Sequence, residues 1–198
     1  MSLVESFNYS TRSSTYIENF YTKSTADSVG DETPITTIID TKPESAQLMN
    51  SGKYSIYSIA DWFLMKSNMT HLKLQKLCYY AQAWSYALLG YGLANTTFQA
   101  WVHGPVSPAL YERFKGFGYE TITISAQRTP TFEPKDEELL NRVWETYGDL
   151  TGNALEALAH RETPWIEARH GYADDERCNV VISPETMKNY YRAVYSGQ

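Results

Sequence analysis

The chain has little of what usually marks an enzyme, a secreted scaffold or a membrane protein. It holds two cysteines in 198 residues, Cys78 and Cys178, far apart in sequence. Two isolated thiols make neither a disulfide framework nor a zinc site. Cys78 falls on the apolar face of a helical pattern and is expected to be a small buried hydrophobe. Lysine and arginine form no block, and 17 basic against 23 acidic side chains leave a net charge of −6. Without a basic patch, free nucleic acid is not an expected partner. No apolar run reaches the ~20 residues that a spanning helix needs, so no membrane is expected. The first residues show no charged segment followed by an apolar one, which predicts a cytoplasmic protein.

Catalytic motifs are missing as well. No Gly-x-Ser-x-Gly elbow, phosphate loop or His-Glu-x-x-His helix occurs. Of the four histidines, His103 and His160 are the candidates for general-base chemistry, and neither brings a nucleophile, a metal or an orienting acid with it. Both are expected to be structural, hydrogen-bonded histidines. Asp174-Asp175-Glu176 lacks further ligands and reads as a solvated charge run. The expectation is a protein with no catalytic residue, no metal and no cofactor.

Tyrosine, by contrast, is abundant: 16 residues, within 14% aromatics. It buries area while keeping a polar tip, which suits both a small helical core and a wet interface, and composition leaves the two open.

The pattern along the chain divides it at about residue 52. Residues 1–52 are rich in Ser and Thr and punctuated by Gly30, Pro34, Pro43 and Gly52. Such a segment buries too little apolar surface to offset its ordering entropy. Two islands interrupt it, Tyr16-Ile17-Glu18-Asn19-Phe20-Tyr21 and Ile35-Thr36-Thr37-Ile38-Ile39. Segments that order on a partner have this character.

From Tyr54 the periodicity turns helical, and residues 53–198 are expected to form a mainly α domain with a short two-stranded β ribbon. Ser55 and Thr70 are expected to cap two helices. The second carries Leu74, Leu77, Cys78, Ala81, Trp84, Leu88 and Tyr91 on one stripe and is expected to be the central core helix, with Gln75 and Lys76 at the stripe's edge. Gln75 is placed to fasten a loop carbonyl. Residues 98–103 read as a short extended piece and Gly104-Pro105 as a turn. Residues 121–125 are a strand candidate able to pair with 98–103. Ser107-Pro108, Thr151, Thr163-Pro164 and Ser183-Pro184 announce further helices, as does the acidic first turn of residues 135–147. Trp84, Trp101 and Trp165 are expected to be core anchors with their N–H groups on carbonyls.

The order of these pieces is similar to one family. Leu72-Lys73-Leu74-Gln75-Lys76-Leu77 with Tyr79-Tyr80, then Trp101-Val102-His103-Gly104-Pro105-Val106, later His160, Glu162 and Pro164-Trp165, and finally Ile182-Ser183-Pro184 resemble the Panacea domain of bacterial and phage antitoxins. On that resemblance Gln75, Tyr79, Trp101, His103, Gly104, Pro105, Val106, Pro164 and Trp165 are structural family positions. The resemblance implies a cognate protein toxin as partner, within a toxin–antitoxin system and with phage defence as one setting. It implies neutralisation by direct binding, the toxin being in some relatives a small alarmone-synthetase-like translation inhibitor. It also offers the alternative of a proteolysis adaptor that delivers a toxin to a Clp protease. Tyr16, Ile17, Phe20 and Tyr21, in the part without family motifs, are the candidates for toxin contact and active-site occlusion.

Overall fold

Short polar residues ahead of apolar runs decide where the helices begin. The computed structural model describes residues 52–123 and 130–197. It is mainly α, with two small antiparallel two-stranded sheets. The elements are α1 (Ile56–Lys66), β1 (Met69–Thr70), α2 (His71–Leu88), β2 (Gln99–Trp101), β3 (Gly104–Val106), α3 (Pro108–Phe114), β4 (Thr121–Ile122), α4 (Pro134–Tyr147), α5 (Gly152–Ala159), α6 (Thr163–Ala168) and α7 (Pro184–Ser196). Ser55, Thr70, Ser107, Thr151 and Ser183 each accept a first-turn backbone N–H in their side-chain oxygen, as expected of N-caps. Proline follows directly in α3 and α7, where its missing N–H costs nothing. No described helix is long and apolar enough to cross a membrane.

Helix α2 is the centre. It packs against α7, α5, α4 and α1 and against β3. The sequence predicts a stripe, but the helix is buried on every face from Leu74 to Ala87. Enclosure by four helices draws Gln75 and Lys76 from the expected edge into the interior.

The strand pairing also differs from expectation. Residues 121 and 122 pair with β1, Met69 against Ile122 and Thr70 against Thr121. β2 pairs instead with β3, Ala100 facing Pro105, so the chain reverses at Val102–His103 and Gly104-Pro105 begins the returning strand. The other edge of β2 is taken by the C-terminal segment: Ala100 N–H donates to Val180 O (2.9 Å) and Ile182 N–H to Phe98 O (2.8 Å). No edge of β2 remains for residues 121–125. Because the Ala100 N–H turns toward Val180, the facing Pro105 has no ladder bond to lose.

The chain enters this domain along a short seam. Lys53 and Tyr54 donate their N–H groups to Gly92 O and Leu93 O, and Asn95 N–H donates to Tyr54 O. Gly52 lies so close that a Cβ there would sit 2.0 Å from the Ala94 carbonyl carbon. Below the seam Asp136, one of the acids in the first turn of α4, is fully buried. It accepts from Lys53 Nζ (2.8 Å), Tyr54 Oη (2.7 Å) and Tyr91 Oη. Burial pushes the Asp136 carboxyl up, but these donors outweigh it and hold the group below the usual carboxylate range.

Much of the tyrosine surplus is core. Tyr80 stacks on Tyr147 at 4.1 Å, and Tyr79, Trp84 and Tyr191 surround the pair edge-on or tilted. Trp84 Nε1 donates to Tyr147 Oη (3.0 Å) rather than to a carbonyl, because the ring array supplies a nearer acceptor. In the middle lies Glu162, buried at 6% exposure, accepting from Tyr191 Oη (2.7 Å) and Tyr80 Oη (3.3 Å). Burial pushes its carboxyl up to about 8 despite the two donors. The folded state therefore holds a proton that the unfolded chain, titrating near 4.5, has released. Stability should fall as pH rises from about 4.5 through about 8. Glu162→Gln, which keeps an acceptor for both hydroxyls, should flatten that fall in urea unfolding across this range. Glu162→Ala should instead cost on the order of 1–3 kcal/mol for each stranded hydroxyl.

Candidate functional site

The β2–β3 hairpin gathers the distinctive sequence motifs into one block. Gln75 clamps its exit: Nε2 donates to Ser107 O (3.1 Å) and Oε1 accepts from Ser107 N–H (2.8 Å), the carbonyl contact expected from sequence plus a return bond. Lys76, one residue on, runs beneath β3 with no exposure and donates from Nζ to Pro105 O at 3.1 Å. Gly104, at φ +90°, lies directly on this side chain; a Cβ would come within 2.8 Å of Lys76 Cε and 3.0 Å of its Nζ. That contact, together with the positive φ, is the reason for glycine here.

His160 closes the far side. Its ring stacks on Trp165 at 4.1 Å, and its buried Nε2 has no hydrogen-bond partner among the described residues. Burial lowers the His160 pKa more than the Glu156 carboxylate raises it. Trp165 Nε1 donates to Trp101 O (3.0 Å), tying α6 to the hairpin, and Trp101 Nε1 donates to Gln99 Oε1 (2.8 Å). The Trp101 ring meets Tyr111 of α3 at 4.9 Å. His103, at the turn, is 76% exposed and pairs through Nδ1 with Glu156 Oε1 at 2.9 Å. Pro164 is buried in the first turn of α6.

A cleft of about 570 Å³ opens between the hairpin turn and residues 177–179, lined by Gln99, Trp101, Val102, His103, Arg177, Cys178 and Asn179. Its far wall is shaped by Arg169, which is buried and donates to the carbonyls of Ala100, Ala173, Asp174 and Glu176. The acidic run 174–176 is exposed as expected, with its main chain held by that guanidinium. Among the described residues no group of three or more His, Cys, Asp and Glu could hold a metal ion.

Thus Gln75, Trp101, His103, Gly104, Pro105, Val106, Pro164 and Trp165 come together around one hairpin, while Tyr79 sits in the adjoining core with its hydroxyl unpartnered among the described residues. Tyr16, Ile17, Phe20 and Tyr21 lie outside the described residues. Sequence reasoning missed the buried ionisable groups Lys76 and Glu162 and the collar of Arg169. Gly104 carried the only hint for Lys76, since a glycine inside a strand marks a close approach.

Burial lowers the Lys76 pKa to about 7, against 10.5 for a free lysine. Between those values the unfolded chain binds the proton and the folded chain does not, so this residue makes stability rise with pH. Lys76→Met should therefore stabilise the protein in urea unfolding at pH 7 and below, less ~1 kcal/mol for the lost bond to Pro105 O. The gain should shrink toward pH 10. Gly104→Ala should destabilise by ~1–3 kcal/mol at any of these pH values, because φ does not titrate.

The family model described as antitoxin SocA-like, Panacea domain, matches residues 74–166, from the second turn of α2 through the hairpin to α6. The chain is also similar to Antitoxin SocA of Caulobacter vibrioides (strain NA1000 / CB15N), 27% identical over 136 residues that cover 63% of this chain and 72% of that protein. No solved structure matches. The matched segment contains the Gln75 clamp, Lys76 under Gly104, and the Trp101–Trp165 tie, and it is over this segment that the chain is similar to the SocA-like Panacea-domain antitoxins.

Proposed function

We propose that this protein is the antitoxin of a toxin–antitoxin system, acting in the cytoplasm by binding its cognate protein toxin directly and covering the toxin's active site. The observation that carries the reading is the family match over residues 74–166, which falls on the hairpin block and its supporting helix. That block is tied from three sides by side-chain bonds, those of Gln75, Lys76 and Trp165, and so offers a rigid platform. A platform of this kind loses little conformational entropy on binding.

The occluding part is the aromatic island of the N-terminal extension. Tyr16, Phe20 and Tyr21 are the kind of anchor that dominates interfaces, and a well-seated one contributes a few kcal/mol. Against a toxin of the alarmone-synthetase class, a tyrosine ring would stand where the base of the nucleotide donor stacks. The anchor and the platform are separate, so they can be tested separately.

Co-expression with the product of the adjacent open reading frame, tagged for purification, should give a stoichiometric complex and living cells. Replacing Tyr16, Ile17, Phe20 and Tyr21 by alanine, or removing residues 1–52, should abolish rescue while leaving the domain folded, with a cooperative thermal unfolding. Full rescue by the truncated protein would assign neutralisation to the domain itself. A toxin that turns over faster when this protein is present would mean delivery to a protease and would sink occlusion.

A further inference from the structure

The cleft beside the hairpin turn has recognition groups with nothing to recognise among the described residues. Arg177 forms no ion pair there, and the Asn179 side-chain amide forms no hydrogen bond. Gln99 uses its Oε1 for Trp101 Nε1, leaving its amide N–H groups unpaired. Trp101 and Val102, both half-buried, add an apolar wall. The charged side chain lining the cleft is Arg177, and His103 beside it faces Glu156 through Nδ1. The nearby Glu176 carboxylate is engaged by Ala173 N–H, and Asp174 and Asp175 stand in the exposed loop behind. On a protein of net charge −6 this is a cationic, donor-rich cleft with an aromatic wall. Its chemistry fits an extended peptide that offers a carboxylate between aromatic side chains. Side-chain amides meet the peptide main chain, a guanidinium meets the carboxylate in a forked pair, and the indole takes a ring.

The chain itself contains such a peptide. In Tyr16-Ile17-Glu18-Asn19-Phe20-Tyr21 a glutamate is flanked by three aromatics. The residues ahead of Gly52 hold seven acidic side chains against three basic ones, most of the protein's negative excess. Reach is not limiting. The stretch between Tyr21 and Gly52 spans up to ~100 Å when extended, whereas a domain of this size has a radius of gyration of ~15 Å. A tether of that length also supplies an effective concentration near the millimolar range, so even a weak intramolecular contact is populated.

We infer that the cleft formed by Gln99, Trp101, His103, Arg177 and Asn179 is a docking site for the chain's own segment Tyr16–Tyr21, with Glu18 on Arg177. The inference stands apart from the toxin reading, since it concerns the protein without a partner. Where that reading also holds, docking sheathes the aromatic anchors until a toxin displaces them.

The test is hydrogen exchange on the full-length protein alone, comparing wild type with Glu18→Lys, Arg177→Glu and the doubly reversed variant. In the wild type, amides of residues 16–21 and 177–180 should exchange about tenfold slower than in either single variant. The double variant should recover most of the protection, which a merely structural role for Arg177 would not produce. Fast exchange of residues 16–21 in the wild type overturns the inference. So does protection that survives Arg177→Glu, because the segment is then held elsewhere. Protection that grows with protein concentration overturns it too, since a second copy is then the occupant.

Discussion

A helix enclosed on all sides must find partners inside the protein for its polar side chains, and besides its tyrosines and tryptophan α2 sends five of them inward: His71, Gln75, Lys76, Gln82 and Ser85. Each buried donor or acceptor left without a partner costs about 1–3 kcal/mol, so the surrounding loops must come to the helix. They do. Gln75 takes both main-chain groups of Ser107, Gln82 takes both main-chain groups of Ala94, and Ser85 donates to Tyr91 O. The fold is thus held by a central helix that sets where the connecting segments lie, and those segments in turn carry the hairpin, the cleft and the seam with Lys53.

The polar centre of the domain has two ionisable groups of opposite type held away from their ordinary titration. Lys76 destabilises the folded state most at low pH and Glu162 most at high pH. Neither is placed to neutralise the other through a bond; Lys76 has a carbonyl and Glu162 has two phenols. Such groups are poor contributors to stability. Their effect is on arrangement: Lys76 admits one strand path above it, the one with glycine at 104, and Glu162 fixes the order of Tyr80 and Tyr191 around it. The domain's rigidity as a platform comes from these satisfied, direction-bearing contacts more than from apolar burial alone.

What could be read in the sequence was local. Ser55, Thr70, Ser107, Thr151 and Ser183 announce their helices because a cap is a contact over three residues, fully contained in the pattern. The Gln75 contact was legible because a polar residue beside a core stripe needs a partner nearby. The strand pairing was not, because two-residue strands such as β1 and β4 carry no register of their own and take whichever edge the helices leave open. The burial of Lys76 and Asp136 was hidden for a related reason. Their partners, Pro105 and Lys53 with Tyr54 and Tyr91, lie 29 to 83 residues away or reach them from another element. The cleft itself was invisible, since its two walls come from residues 99–103 and 177–179, far apart in sequence and joined by the main-chain bonds of residues 98–100 to 180–182 and by Arg169.

The seam at residues 52–54 has a mechanical meaning. Tension applied from the N-terminal side meets first the main-chain bonds of Lys53 and Tyr54 to residues 92–95, and with them the side-chain grip on Asp136. The chain segments at Tyr54 and Ala94 run parallel there, joined as a single bridge. A load along that direction shears several bonds at once, where a perpendicular load would peel them one by one. The seam therefore works as a strain relief. Whatever pulls on the extension is resisted at the rim by Asp136 in α4, and the hairpin and the packing of α2 remain unloaded until that rim gives way.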